Sequence, residues 1–214
     1  MVIKMSNSPV IAFINKLTDL ILLNILWIIC CLPVITAGAA TVALYYVNIT
    51  SIRCGDGYVV RRFFDGFRKN FRQITPIWIA ILLCTLILAG DMFFWYQMDT
   101  GFGKFMFIAS AAVAFLFFIW TMWIFPVFAK LDGKSKELIK NAAAFAVGHF
   151  PYTFIVLLIT VVIVYANLTS LAANSIMLFV GFALSAYIKS FFFYKVFMKY
   201  IDEKYDDFDT NTEI

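Results

Sequence analysis

Residues 141–188 read NAAAFAVGHFPYTFIVLLITVVIVYANLTSLAANSIMLFVGFALSAYI, 48 consecutive positions without Asp, Glu, Lys or Arg. As one helix, at 1.5 Å per residue, the stretch would be about 72 Å long, more than twice the hydrocarbon core of a bilayer. It must fold back on itself. The polar cluster from Asn167-Leu168-Thr169-Ser170 through Asn174-Ser175 is the natural turn, and Asn174 or Ser175 can cap the returning helix. Three other charge-free runs occupy 20–52, 73–90 and 105–129. The second and third are each the right length for one span.

Composition points the same way. Of the 214 residues, 63% are hydrophobic and only 14% charged, whereas a soluble domain dresses its surface with roughly 25% charged residues. Lipid must cover what water cannot. A disordered or collagenous chain is excluded by this composition, and a disulfide-stapled secreted domain by the cysteines, since four in 214 residues staple little.

The run 20–52 is the difficult one. Its 33 residues would make roughly 50 Å of helix, and Pro33-Val34-Ile35-Thr36-Ala37-Gly38 sits near the middle. Ser8-Pro9 is a start signal, with Ser as cap and Pro at the first helical position, so two helices at 9–32 and 36–53 are expected with a reversal at 33–38. The same logic starts helices at Thr75-Pro76 and near Pro151. A secretory signal peptide competes for the first 40 residues, but the apolar run continues past the cleavage site to Ile52, and Asp19 and Asn24 interrupt it.

The sequence therefore predicts an all-α polytopic transmembrane helix bundle of six spans arranged as three hairpins, with five spans as the alternative. Six spans place 16 of the 17 Lys and Arg residues on one side, with Lys104 alone opposite. Five spans give 14 against 3. By the positive-inside rule both termini, 54–74 and 130–150 are expected in the cytoplasm, and 33–37, 97–104 and 166–174 on the far side. One transmembrane domain, 1–200, precedes an acidic mobile tail at 201–214.

Segment 53–72 carries six basic residues with phenylalanines between them. On a helix from about 58, Phe63, Phe67 and Phe71 share one face while Arg61, Arg62, Arg68, Lys69 and Arg72 spread over the rest. This suits an amphipathic cytoplasmic elbow at about 58–74, with rings in the acyl boundary and cations among anionic lipid headgroups of the bilayer. The same pattern also fits a basic loop packed over the helix ends. Nucleic-acid binding is not expected in this setting.

No catalytic, cofactor or metal constellation stands out, and a non-enzymatic role is expected. His149 is the only histidine. Cys30 and Cys31 are adjacent, and Cys54 and Cys84 lie far off, so no C-x-x-C pair exists. Gly101-Phe102-Gly103-Lys104 reads as an outer turn, and His149 as flanking the fifth span. The costly polar residues within spans are Asn24, Asn48, Asp91 and Lys189. Asp91 is placed near the far headgroups, and Lys189 near a span end where its stem can snorkel.

Three stretches carry a family likeness: Asn24-Ile25-Leu26-Trp27 with Leu32-Pro33-Val34-Ile35-Thr36-Ala37-Gly38; Phe64-Asp65-Gly66-Phe67-Arg68-Lys69-Asn70-Phe71; and Gly181-Phe182-Ala183-Leu184-Ser185-Ala186-Tyr187. Together they resemble the YesL-like family of small bacterial integral membrane proteins. The Leu-Pro-x-x-Thr-x-Gly element, with Pro33, Thr36 and Gly38 as a helix break, is the most specific part. The resemblance implies a bacterial cytoplasmic membrane location and an accessory role beside carbohydrate-uptake and polysaccharide-degradation systems. It implies carbohydrate-uptake membrane components as partners, and supplies no catalytic residue. A small-solute transporter or channel subunit is the alternative.

Overall fold

The structure, a computed structural model, describes residues 9–54 and 58–200; the tail expected at 201–214 lies outside the described residues. From Pro9 onward the chain is helical with few breaks. The helices are α1 (Pro9–Cys31), α2 (Ala37–Cys54), α3 (Val59–Tyr96), α4 (Gly101–Lys130), α5 (Ser135–Gly148), α6 (Phe150–Thr169), α7 (Leu171–Ile176) and α8 (Phe182–Phe197). A 3-10 turn at Val34–Thr36 joins α1 to α2, and a π-helical turn at Met177–Gly181 joins α7 to α8.

Among the described residues, six stretches are long and apolar enough to cross a membrane: Phe13–Cys31, Val34–Ser51, Val59–Tyr96, Gly101–Lys130, Phe150–Thr169 and Asn174–Phe197. The six-span expectation agrees with this. In the five-span alternative α1 and α2 would form one kinked helix, but they run antiparallel. Trp27 Nε1 donates to Thr41 Oγ1 at 3.2 Å, and further down the pair Lys16 donates to Ser51.

Several local expectations are corrected. No helix starts at Thr75-Pro76, because α3 runs unbroken for 38 residues with Pro76 inside it. A mid-helix proline forfeits one backbone bond and costs about 3 kcal/mol. The turns ahead of it are held by the buried Phe63, Gly66, Asn70 and Ile74, and packing outweighs the local stop signal. Thr75 Oγ1 also donates back to the Phe71 carbonyl at 2.5 Å. Gly101-Phe102-Gly103-Lys104 is not a turn but the first turn of α4, capped where Thr100 Oγ1 accepts from Gly103 N at 3.0 Å. The 48-residue run breaks at His149 and again at Ser170, so Asn174 and Ser175 lie within α7 and do not cap the helix after the turn. Helix α5 was not expected as an element.

The hairpins differ in height. Helices α3 and α4 stay in register along their length, from Lys69 and Asp132 (2.9 Å) through Trp78 and Phe125 (ring centroids 5.8 Å) to Trp95 and Phe102 (5.7 Å). Helix α2 pairs only with the first half of α3: Tyr46 lies against Gly66 and Gly38 against Trp78, whose Nε1 donates to the Val34 carbonyl at 2.7 Å. Tyr96 is 18 residues beyond Trp78, so the 33–36 reversal stops about 27 Å short of the α3–α4 turn. Counting equal spans puts 33–37 and 97–104 at one surface; this register separates them. Above the reversal, Leu86, Ile87 and Phe93 of α3 and Phe105, Ile108 and Leu116 of α4 are exposed, a surface suited to lipid.

The core centres on α2, where Ala39, Ala40, Val42, Ala43, Val47 and Ile49 are buried against Phe63 and Ile74 of α3 and against Trp123, Val127 and Phe128 of α4. Small side chains at 38–40 and 43 let neighbouring backbones approach closely, the usual basis of helix association in lipid. Trp123 joins four helices. Its Nε1 donates to Thr153 Oγ1 of α6 at 3.0 Å, and its ring meets Phe193 of α8 (4.9 Å) and Phe145 of α5 (5.9 Å).

Candidate functional site

The basic end of the bundle is built on the first half of α3. Phe63 is fully buried, and Phe67 and Phe71 are half-buried against the core. The three rings pack in series at 6.3 and 5.4 Å. Arg61, Arg68, Lys69 and Arg72 are exposed and Arg62 half-buried. The helix thus carries the expected amphipathy, but its ring face is turned into the protein; Phe64 is the exposed ring of this stretch. Lys69 pairs with Asp132, and Gln73 Nε2 donates to the Gly133 carbonyl at 2.7 Å, tying this helix to the link between α4 and α5.

The Pro33, Thr36 and Gly38 motif is a joint between helices. Pro33 follows the end of α1, and Thr36 Oγ1 donates to the Cys30 carbonyl at 2.6 Å and the Pro33 carbonyl at 2.8 Å, satisfying groups that a helix end leaves open. Gly38 abuts Trp78 so closely that a Cβ there would lie 2.6 Å from Trp78 Cβ. The motif meets α3 at Trp78, beyond Arg72, and does not join the cluster of cations.

A second joint was not legible in the sequence. Asn24 of α1 is fully buried and faces the π-helical turn. A π turn disturbs the regular backbone ladder, and such turns are frequent at functional positions. Asn24 Nδ2 donates to the Leu178 carbonyl at 2.7 Å, and its Oδ1 accepts from Ala183 N at 3.0 Å. One amide side chain links the π turn to the first turn of α8, and Trp27 packs on Phe182 beside it (4.6 Å). Asn48, also buried in α2, has its Nδ2 without a hydrogen-bond partner among the described residues.

Asp91 lies near the α3–α4 turn, where it accepts from Trp95 Nε1 at 3.0 Å and from Ser110. Lys189 does not snorkel to a helix end. It stands eight residues, about 12 Å, from the end of α8 at Phe197 and lines a cavity of about 200 Å³ between α2, α4, α6 and α8. Thr41, Tyr45, Thr121, Thr160 and Phe118 line the same space. Tyr45 is the functional candidate that sequence reading passed over.

His149 closes α5 and opens α6. Its Nε2 is 3.3 Å from the Tyr200 hydroxyl, and its buried Nδ1 has no partner among the described residues. Desolvation, then the nearby Lys199 ammonium, holds the imidazole below its usual pKa. Among the described residues, no three of His, Cys, Asp and Glu gather where they could hold a metal ion.

These features are those of a multi-pass helical membrane protein with a basic end and polar joints between its helices. A family model described as a protein of unknown function, DUF624, matches residues 20–92, which run from Leu20 in α1 to Met92 in α3 and include Asn24, the 33–38 motif and the cations of α3. No curated protein and no solved structure matches the chain.

Proposed function

We propose that the chain is an accessory or regulatory component of a bacterial cell membrane, non-enzymatic, with its basic end in the cytoplasm and a role beside carbohydrate uptake or utilisation. The observation that carries this reading is the division of the first half of α3: Phe63, Phe67 and Phe71 pack on the core, while Arg61, Arg68 and Arg72 remain exposed. Such a helix presents fixed cations to anionic headgroups, each contributing about 1 kcal/mol near the surface, or to an acidic partner. On this reading both termini are cytoplasmic, following the 16 to 1 partition of basic residues. The link to carbohydrate systems rests on the resemblance to the YesL-like family.

The test is to purify the tagged chain gently from its native membrane, identify what accompanies it, and grow a deletion strain on complex carbohydrates. Uptake components should co-purify, and be lost when Arg61, Arg68 and Arg72 are all changed to Gln. Their absence, together with normal growth of the deletion strain, removes this reading. A small-solute transporter or channel subunit is the second reading, favoured by the cavity at Lys189.

A further inference from the structure

Half-buried Lys189 of α8 lines the cavity between α2, α4, α6 and α8, within a span where charge is expensive. A lysine at depth in a membrane is normally matched by a carboxylate or a bundle of carbonyls. None of these four helices carries an Asp or Glu. Among the described residues Lys189 has neither an ion pair nor a hydrogen bond. An unpaired charge held away from water costs several kcal/mol, a cost that an anion from outside the chain would offset.

The rest of the lining narrows what that is. Thr41, Thr121 and Thr160 each donate to the carbonyl four residues earlier on their own helix, at 2.8, 2.9 and 2.8 Å. Their protons are committed. The Tyr45 hydroxyl is not: it has no partner among the described residues, and with the Lys189 ammonium it leaves two donors for one acceptor. The other walls are apolar, namely Phe118, Met122, Phe125, Val156 and Phe193. Phe118 is 45% exposed, so the space communicates with the lipid side. A volume of about 200 Å³ is below the roughly 300–1,000 Å³ of sites that enclose a drug-sized molecule, which suits a small head group and not a sugar chain.

The geometry points to this cavity as the seat of an oxyanion head, phosphate or carboxylate, of a membrane amphiphile, held by the Lys189 ammonium and the Tyr45 hydroxyl with its acyl chain leaving past Phe118. This site is separate from the basic end and does not depend on the accessory role proposed above.

The test uses the full chain, purified in neutral detergent and delipidated, then titrated with phosphatidylglycerol, oleate, phosphatidylcholine or inorganic phosphate and read by native mass spectrometry. The wild type should gain one tight adduct with phosphatidylglycerol or oleate; which of the two binds identifies the phosphate or the carboxylate as the head. Lys189→Met should weaken that adduct about tenfold or more, the equivalent of a lost charge-assisted hydrogen bond, and Tyr45→Phe by a smaller factor. Lys195→Met, on an exposed part of the same helix, should leave it unchanged. Without lipid, Lys189→Met should melt above the wild type, because an unpaired charge is gone; should that variant not fold, Tyr45→Phe carries the comparison. Equal binding by wild type and both variants overturns the assignment, as does inorganic phosphate binding as tightly as the lipids or phosphatidylcholine as tightly as phosphatidylglycerol.

Discussion

Asn24 and Asn48 are the same residue type at nearly the same burial, 0% and 2% exposed, and replacing each by Leu should move stability in opposite directions. Asn24→Leu removes bonds of 2.7 and 3.0 Å and strands the Leu178 carbonyl and the Ala183 amide. Hydrogen bonds between helices in a membrane are worth about 0.6 kcal/mol on average and up to about 1.7. A stranded buried group adds about 1–3 kcal/mol, so the loss should be about 2–4 kcal/mol. Asn48→Leu removes an Nδ2 that has no partner among the described residues, and its effect should lie between neutral and a gain of about 1–2 kcal/mol. Reversible unfolding in mixed micelles measures both, and hydrogen exchange at the Ala183 amide should accelerate in Asn24→Leu alone. A loss at Asn24 below about 0.5 kcal/mol, or equal losses at the two sites, would show that hydrogen bonding at the π turn does not hold α1 to α8.

Glycine substitutions test the α2–α3 contact, since a Cβ at Gly38 would lie 2.6 Å from Trp78 and one at Gly66 2.8 Å from Tyr46, while one at Gly90 meets nothing within 4 Å. Gly38→Ala and Gly66→Ala should each cost about 1–3 kcal/mol in the same unfolding assay, whereas Gly90→Ala should be neutral or stabilise by up to about 1 kcal/mol; equal effects at all three would disprove the close approach. His149 has its pKa held below 6.5, so the unfolded chain binds the proton more readily, and stability rises with pH across the interval from the lowered value up to 6.5 and falls on acidification through it. Melting temperature against pH should show that slope in the wild type and a shallower one in His149→Gln; identical slopes would remove His149 as its source.

The spans were legible because charge-free runs and the basic-residue partition are one-dimensional signals. The start of α6 beside Pro151 followed from proline's fixed φ and missing donor, whereas the Ser8-Pro9 start signal falls at the edge of the described residues. Thr75-Pro76 carries the same signal and failed, because burial of Phe63, Asn70 and Ile74 fixes the helix before proline can end it. Helix α5 was hidden because its charged first half, 135–140, reads as a basic link while its second half, 141–148, is absorbed into the charge-free run 141–188. The unequal height of the hairpins depends on which half of α3 receives α2, a register set by the Gly38–Trp78 and Gly66–Tyr46 contacts and not by span length. Asn24 stood out as a costly polar residue, yet its partners are 154 and 159 positions away, and nothing local announces a π turn. Lys189 stood out too, but the cavity around it is assembled from four helices, and Tyr45 resembles any aromatic of an apolar run.

Reconstitution tests the central claim, an accessory role without solute movement, most directly. Pure chain in liposomes, loaded in turn with monovalent ions and with small neutral and phosphorylated sugars, should release none of them faster than empty liposomes. Release down a gradient that depends on the protein, saturates with solute and is abolished by Lys189→Met would contradict the accessory reading and put a small-solute transporter in its place.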